Sequence, residues 1–263
     1  MKRFFTSDWH LNSALINKYA HRPVADAKLA AQGLVDMCNK LAGPEDTVIH
    51  VGDFILEGYD RHGKEEDCAK DMPKQDAWMK QIKAKFFCIE GNHDTGHNGE
   101  SAAKCLLLDL NQNYRGVTCG HHPSYCKEYA GNYGSTSKHG KIHIHLCGHV
   151  HGKWLLLFDS VRRVLNINVG VDVWEQKLVR DAEITNLLDY FKANFWTKIA
   201  NDRSRWSNFS ISRQEFEKFK LAHLAEVKAQ RQVRKEEKHA KKGLTPEECE
   251  RRKLEAMKKK GLI

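Results

Sequence analysis

The chain alternates between short apolar runs and stretches with a helical apolar period. Residues 2–7 read as a buried first strand that runs into Asp8-Trp9-His10. From Ala25 to Leu41 the apolar residues Leu29, Leu34, Met37 and Leu41 recur at helical spacing, and Gly43-Pro44 ends the pattern. Asp46 to Val51 predicts a second strand ending at Gly52-Asp53. Residues 57–73 are polar and irregular, as a surface excursion would be. Gln75 to Ala84 predicts a helix around Trp78 and Ile82, and Lys85 to Ile89 a third strand ending at Gly91-Asn92-His93-Asp94. Ala102 to Leu110 reads as a short apolar helix. Gly116 to Cys119 is a fourth strand running into Gly120-His121-His122-Pro123. After a Gly- and Ser-rich loop at 129–140, Lys141 to Cys147 alternates as a fifth strand and ends at Gly148-His149-Val150-His151-Gly152. Arg163 to Val169 is a sixth, ending in Gly170-Val171-Asp172, and Asp181 to Phe195 resumes a helical period.

Strands alternating with helical patterns argue for an α/β layered domain. In such folds ligands gather beyond the carboxyl ends of the strands. Here five strands end in Asp, His or Asn, mostly beside glycine. One polar strand end is an ordinary turn residue; five that all offer metal-ligand chemistry exceed what turns require. The candidate ligands are Asp8, His10, Asp53, Asn92, His121, His149 and His151. Two divalent ions about 3.5–4 Å apart need a bridging carboxylate and roughly three further ligands each, with positions open for water and substrate. Seven oxygen and nitrogen donors, one of them shared, meet that need. Mixed His and carboxylate donors suit Mn, Fe or Zn, whereas an all-oxygen set would suit Mg.

Length and charge set the frame around this constellation. The 263 residues, 41% hydrophobic, suffice for one sizeable core plus an appendage. No apolar run approaches bilayer-spanning length, and Met1 to Asp8 lacks the apolar stretch of a signal peptide. The eight cysteines stand singly, without a Cys-x-x-Cys, as reduced thiols of a cytoplasmic protein would. The net charge of +9 is uneven. Residues 198–263 hold 19 basic and 10 acidic residues, whereas residues 1–197 hold 24 of each. The expected division is therefore a catalytic domain over 1–197 and a basic helical extension over 198–263. Ser212 to Val233 reads as a long helix, and Thr245-Pro246-Glu247-Glu248 starts another that ends in Lys258-Lys259-Lys260. Such an extension either meets a polyanion, nucleic acid foremost, or is a solvated helix. It carries no aromatic stacking platform.

Asp-x-His, Gly-Asp, Gly-Asn-His-Asp, His and Gly-His-x-His, in this order from about Lys2 to Asp172, resemble the calcineurin-like metallophosphoesterases. The Thr6-Ser7-Asp8 opening, Arg22-Pro23, the His121-to-Pro123 turn and Asn168 to Asp172 are similar to small bacterial and phage phosphoesterases. The resemblance implies a four-layer αββα sandwich of two sheets flanked by helices. It implies two divalent metals, Mn²⁺ foremost with Fe, Zn, Ni or Mg as alternatives. Asp8, His10 and His151 would hold the first, Asn92, His121 and His149 the second, and Asp53 both. It further implies in-line attack on phosphorus by a metal-bound hydroxide, with His93 as proton donor to the leaving group and Asp94 orienting His93.

His121 is favoured over its neighbour His122 because it occupies the His-x-Pro position. Arg22 and His122 are candidates for substrate contact, with a structural ion pair as the other reading of Arg22. His143 and His145 share one face of the fifth strand and are expected to pack or be solvated; Asn168 and Asp172 are expected to shape the turn beneath the metals. The Asp-Arg-Gly run of the Ser/Thr protein phosphatases is absent after Gly52-Asp53. A phosphodiesterase acting on nucleic acid or nucleotides is the leading expectation. A phosphomonoesterase for a small metabolite or phosphoprotein, and a non-catalytic binding module, are the alternatives.

Overall fold

The computed structural model describes residues 1–56, 72–94, 106–108, 117–124, 126, 142–196 and 209–222. The apolar runs at 3–6, 47–51 and 85–89 become β1 (Arg3–Thr6), β2 (Thr47–Val51) and β3 (Lys85–Ile89), which pair in parallel. A short β9 (Val179–Arg180) joins β1 antiparallel and completes a four-stranded sheet of order β3-β2-β1-β9. Near-continuous apolar character suits strands covered on both faces. Phe4, Val48 and Phe54 pack in one buried cluster with Leu34, Val35 and Cys38 from α2 (Ala27–Leu41) and Trp78 from α3 (Gln75–Met79). A preceding helix, α1 (Ala14–Tyr19), is capped by the Ser13 side chain, and α2 by Asp26.

The inward face of α2 is Ala27, Ala31, Leu34, Val35 and Cys38. Leu29, expected on that face, is 66% exposed. The small residues Ala27 and Ala31 let the helix approach the sheet closely, and a count of large apolar residues passes over them.

The second sheet has the order β10-β7-β8-β6-β5-β4. Its strands are β4 (Leu106–Leu108), β5 (Val117–Cys119), β6 (His143–Cys147), β7 (Leu156–Asp159), β8 (Val164–Asn168) and β10 (Phe209–Ile211). β5, β6 and β8 are parallel, and β4, β7 and β10 run antiparallel to their neighbours. Leu106 to Leu108 lies in the stretch expected to be helical, yet it pairs with β5. Three consecutive leucines carry no period, and pairing at a sheet edge decides their state. On α4 (Asp181–Phe191), Ile184, Leu187, Leu188 and Phe191 are buried. The Phe191 ring lies 5.9 Å from Phe158 of β7.

The chain forms two compact units, Met1–Arg213 and Gln214–Ile263. β10 pairs with β7, so the sheet of the first unit continues beyond the boundary expected at 197/198. Of the expected helix at 212–233, residues 213–222 are helical; its remainder and the helix expected after Thr245 lie outside the described residues, as do the excursion at 57–71 and the loop at 129–140. Among the described residues no helix is long and apolar enough to cross a membrane. Among the described residues, Cys38, Cys88, Cys119, Cys126 and Cys147 form no disulfide.

Candidate metal centre

The parallel strands deliver their carboxyl ends to one place. Asp8 and His10 follow β1, Asp53 follows β2 and Asn92 follows β3. His121 follows β5, and His149 and His151 follow β6. The two sheets meet there: Ser7 forms a parallel bridge with Gly170, and the His149 N–H donates to Asp8 Oδ1 at 2.8 Å.

All seven expected ligands come together. Asp8, His10 and His151 each place one donor atom within 4.8 Å of the others, and so do Asp8, Asp53 and His121. Asp53 Oδ2 lies 3.0 Å from His121 Nε2 and 3.4 Å from His10 Nε2. The other Asp53 oxygen accepts the His93 N–H at 2.9 Å, which turns Oδ2 toward both imidazoles. Asn92 Oδ1 lies 3.0 Å from His121 Nε2 and 3.0 Å from His149 Nδ1. Outer partners fix the rings. His121 Nδ1 donates to the Val51 carbonyl at 3.0 Å and His151 Nδ1 to Asp172 at 2.7 Å, so each presents Nε2 inward.

The donors fit divalent cations. Asp8 Oδ2 and His10 Nε2 are buried and meet no hydrogen-bond partner among the described residues. A buried polar atom left unmade costs about 1–3 kcal/mol, and a cation between them would satisfy both. Burial opposes ionisation of Asp53, but His121 and His10 outweigh it and hold the carboxyl well below its ordinary range. Burial likewise opposes protonation of His121, yet Asp53 lifts it to about 9. The carboxylates thus pull hard enough to keep a proton on His121, and a cation would compete with that proton. Burial pushes His10 well below its ordinary value, and His149 to about 4, which keeps these rings neutral for coordination.

The backbone is strained at these positions. Asp8, His10, Asp53, His149 and His151 all have positive φ, between 47° and 71°. Each such non-glycine residue costs of the order of 1–3 kcal/mol, and strain of this kind collects at functional sites. Two glycines are required by close approach: a Cβ at Gly91 would land on Asp53, and one at Gly148 on Ser7 and Asp8.

Asp94 and Arg22 spend their side chains on partners within the protein, and His122 and His145 are buried. Asp94 accepts backbone N–H groups of Gly91, Asp53, Phe54 and Ile55 at 2.7–3.1 Å. Its carboxylate is thereby spent on the loop that carries Asp53 rather than on the His93 ring. Arg22 is turned inward, its side chain 2% exposed. It donates to Asp172 at 2.8 and 3.2 Å, to the Trp9 carbonyl at 2.8 Å and to the Asp8 carbonyl. That placement is the ion pair, not a contact with substrate phosphate. His122 is 4% exposed, its ring 4.6 Å from that of His149, which leaves little surface for substrate. His145 is fully buried and anchors the ligand turn: Nε2 donates to the His122 carbonyl at 3.0 Å, so Nδ1 accepts from Thr118 Oγ1 at 2.8 Å. On the far side of that turn the Ser124 N–H donates to Asn166 and the Ser124 hydroxyl to Asp159. The Asn168 amide ties the His151 and Trp154 carbonyls together, as a turn-shaping residue does.

Thr118, Ser124, Asp159 and Asn166 escaped sequence reasoning, because their partners are set by strand register. Thr118 faces His145 across β5 and β6, and nothing along the chain announces that pairing.

The family model of the calcineurin-like phosphoesterases matches residues 1–117. Over those residues the chain is similar to the calcineurin-like phosphoesterases. The matched stretch contains Asp8, His10, Asp53, Asn92 and His93; the geometry adds His121, His149 and His151 from strands beyond it. A search of the curated proteins finds no match. Among solved structures, a protein of unknown function from Aquifex aeolicus is similar at 17% identity and TM-score 0.45, over 71% of this chain and 98% of that one. A predicted phosphoesterase from Streptococcus pneumoniae is similar at 14% identity and TM-score 0.28, over 64% of this chain and 71% of that one.

Proposed function

We propose that this chain is a phosphoesterase that uses two divalent cations, Mn²⁺ foremost, to cleave phosphodiesters in nucleic acid or nucleotides. The observation that carries the two-cation reading is Asp53 Oδ2, set between His10 Nε2 and His121 Nε2. Asp8, His10 and His151 would hold one cation, and Asn92, His121 and His149 the other. Bound there, the cations supply a lowered pKa for water and charge neutralisation at the phosphoryl oxygens. The protein supplies the rest. The Asp53 loop is held by Asp94, and the His151 ring by Asp172. His93 is exposed, its ring 5.0 Å from that of His10, and it would give a proton to the leaving oxygen. The diester and polyanion part of the proposal rests on the basic excess of residues 198–263 and on the absence of Asp-Arg-Gly after Asp53.

The test is hydrolysis by the full chain loaded with Mn²⁺. Bis-p-nitrophenyl phosphate should be cleaved in preference to p-nitrophenyl phosphate, and single- or double-stranded nucleic acid should bind with strong salt dependence. A monoester preference would replace the proposal with the phosphomonoesterase reading. Metal uptake without hydrolysis of any phosphoester would leave a binding module.

A second expectation separates His93 from the ligands. His93→Ala should keep metal content near that of the parent by elemental analysis while turnover falls by about 10²–10⁴. Loss of metal in that variant would remove His93 from the proton-transfer role.

A further inference from the structure

We propose that His122 is a third imidazole donor at the second cation position, beside His121 and His149. The inference rests on the two-cation reading and concerns a residue that reading leaves unused. His121, His122 and His149 each place one ring nitrogen within 4.8 Å of the other two. Two imidazoles on one ion, with metal–nitrogen bonds of about 2.1 Å, bring their ring centroids about 4.5–5.5 Å apart. The observed separations are 5.0 Å for His121–His122, 4.6 Å for His122–His149 and 5.3 Å for His121–His149. Ring packing alone permits similar spacing, so it is the nitrogen cluster that points to coordination. The three rings stand nearly perpendicular or tilted to one another, at 79°, 53° and 84°.

The turn that carries His122 is built to hold it still. Its carbonyl accepts from His145, and two residues later Ser124 is gripped by Asn166 and Asp159. A rigid, buried turn favours a coordinating role over an adaptable substrate contact.

The assignment makes the two positions chemically unequal. The first has carboxylates from Asp8 and Asp53 with imidazoles from His10 and His151. The second has three imidazoles with the oxygens of Asp53 and Asn92, five protein donors in all. Three imidazoles favour Zn²⁺, Ni²⁺ or Co²⁺ over Mg²⁺, so the second position should take up such an ion ahead of Mn²⁺.

The test uses the full chain stripped by chelation and titrated with Zn²⁺, followed by calorimetry and by nitrogen NMR of ¹⁵N-histidine-labelled protein. In the parent chain one His122 ring nitrogen should move into the zinc-bound range as zinc fills the three-imidazole position. His122→Phe keeps a ring and removes the nitrogens; it should weaken one uptake step on the order of 10–100-fold and leave the other unchanged. An His122 nitrogen that keeps its unbound shift in the loaded parent chain overturns the assignment, whether or not the variant folds. So does a folded variant with both steps unchanged. Absence of zinc uptake by the parent chain would instead overturn the two-cation reading, which separates the two failures.

Discussion

Asp53→Asn is expected to reduce hydrolysis by about 10³ or more, because several kcal/mol of transition-state charge stabilisation translates at about 1.4 kcal/mol per decade. The substitution keeps the volume and one oxygen, and that amide oxygen can still accept the His93 N–H. What disappears is the negative charge that faces His10 and His121 together. Without it neither set of donors has its shared carboxylate, and both metal equivalents should bind more weakly, not one alone. Elemental analysis after dialysis, beside turnover of bis-p-nitrophenyl phosphate, reads both effects. An Asp53→Asn chain that retained two equivalents and turned over within tenfold of the parent would remove Asp53 from the bridging position.

Arg22→Met should produce the largest loss of stability. The guanidinium makes four hydrogen bonds, two to Asp172 and one each to the carbonyls of Trp9 and Asp8. Burial alone would raise the Asp172 carboxyl, but its bonds to His151 and Arg22 hold it below the usual range. Removing Arg22 leaves that buried carboxylate half-supported, which costs about 3–5 kcal/mol. For a domain of this size the melting temperature should fall by roughly 10 °C, at about 2–4 °C per kcal/mol. Arg22→Lys should recover only part of the loss, since an ammonium cannot serve carbonyls and a carboxylate in one planar fork. The effect should also reach the metal site, because Asp172 orients His151. A variant that melts within about 2 °C of the parent, less than 1 kcal/mol on that scale, would show the cluster to be incidental.

The clustering of these residues was legible in the sequence because each proposed ligand follows an apolar run and sits beside a glycine or in a short polar turn. Close approach explains part of that pattern, since Gly91 and Gly148 have no room for a side chain against Asp53 and Asp8. Its supports were less legible. Arg22 and Asp172 stand 150 residues apart and His145 serves a turn on the neighbouring strand; such pairings exist only once the sheets have formed. β7 lies mostly within an apolar run with no period, Trp154 to Phe158, and β9 is two residues long, so neither declares itself. Asp94 and His93 show a subtler limit. Adjacent in one motif, they face different tasks, and only the backbone donors around Asp94 reveal which loop it serves.

The proposed ligands divide between the sheets: Asp8, His10, Asp53 and Asn92 come from the four-stranded sheet, and His121, His149 and His151 from the six-stranded one. The donors lie along a seam, and any ion held by both groups works as a rivet across it. Its affinity adds by mass action to the cohesion of the two halves. Stripping the ions should therefore loosen the join before either half frays, and the left-handed kinks at the strand tips would be the first segments released.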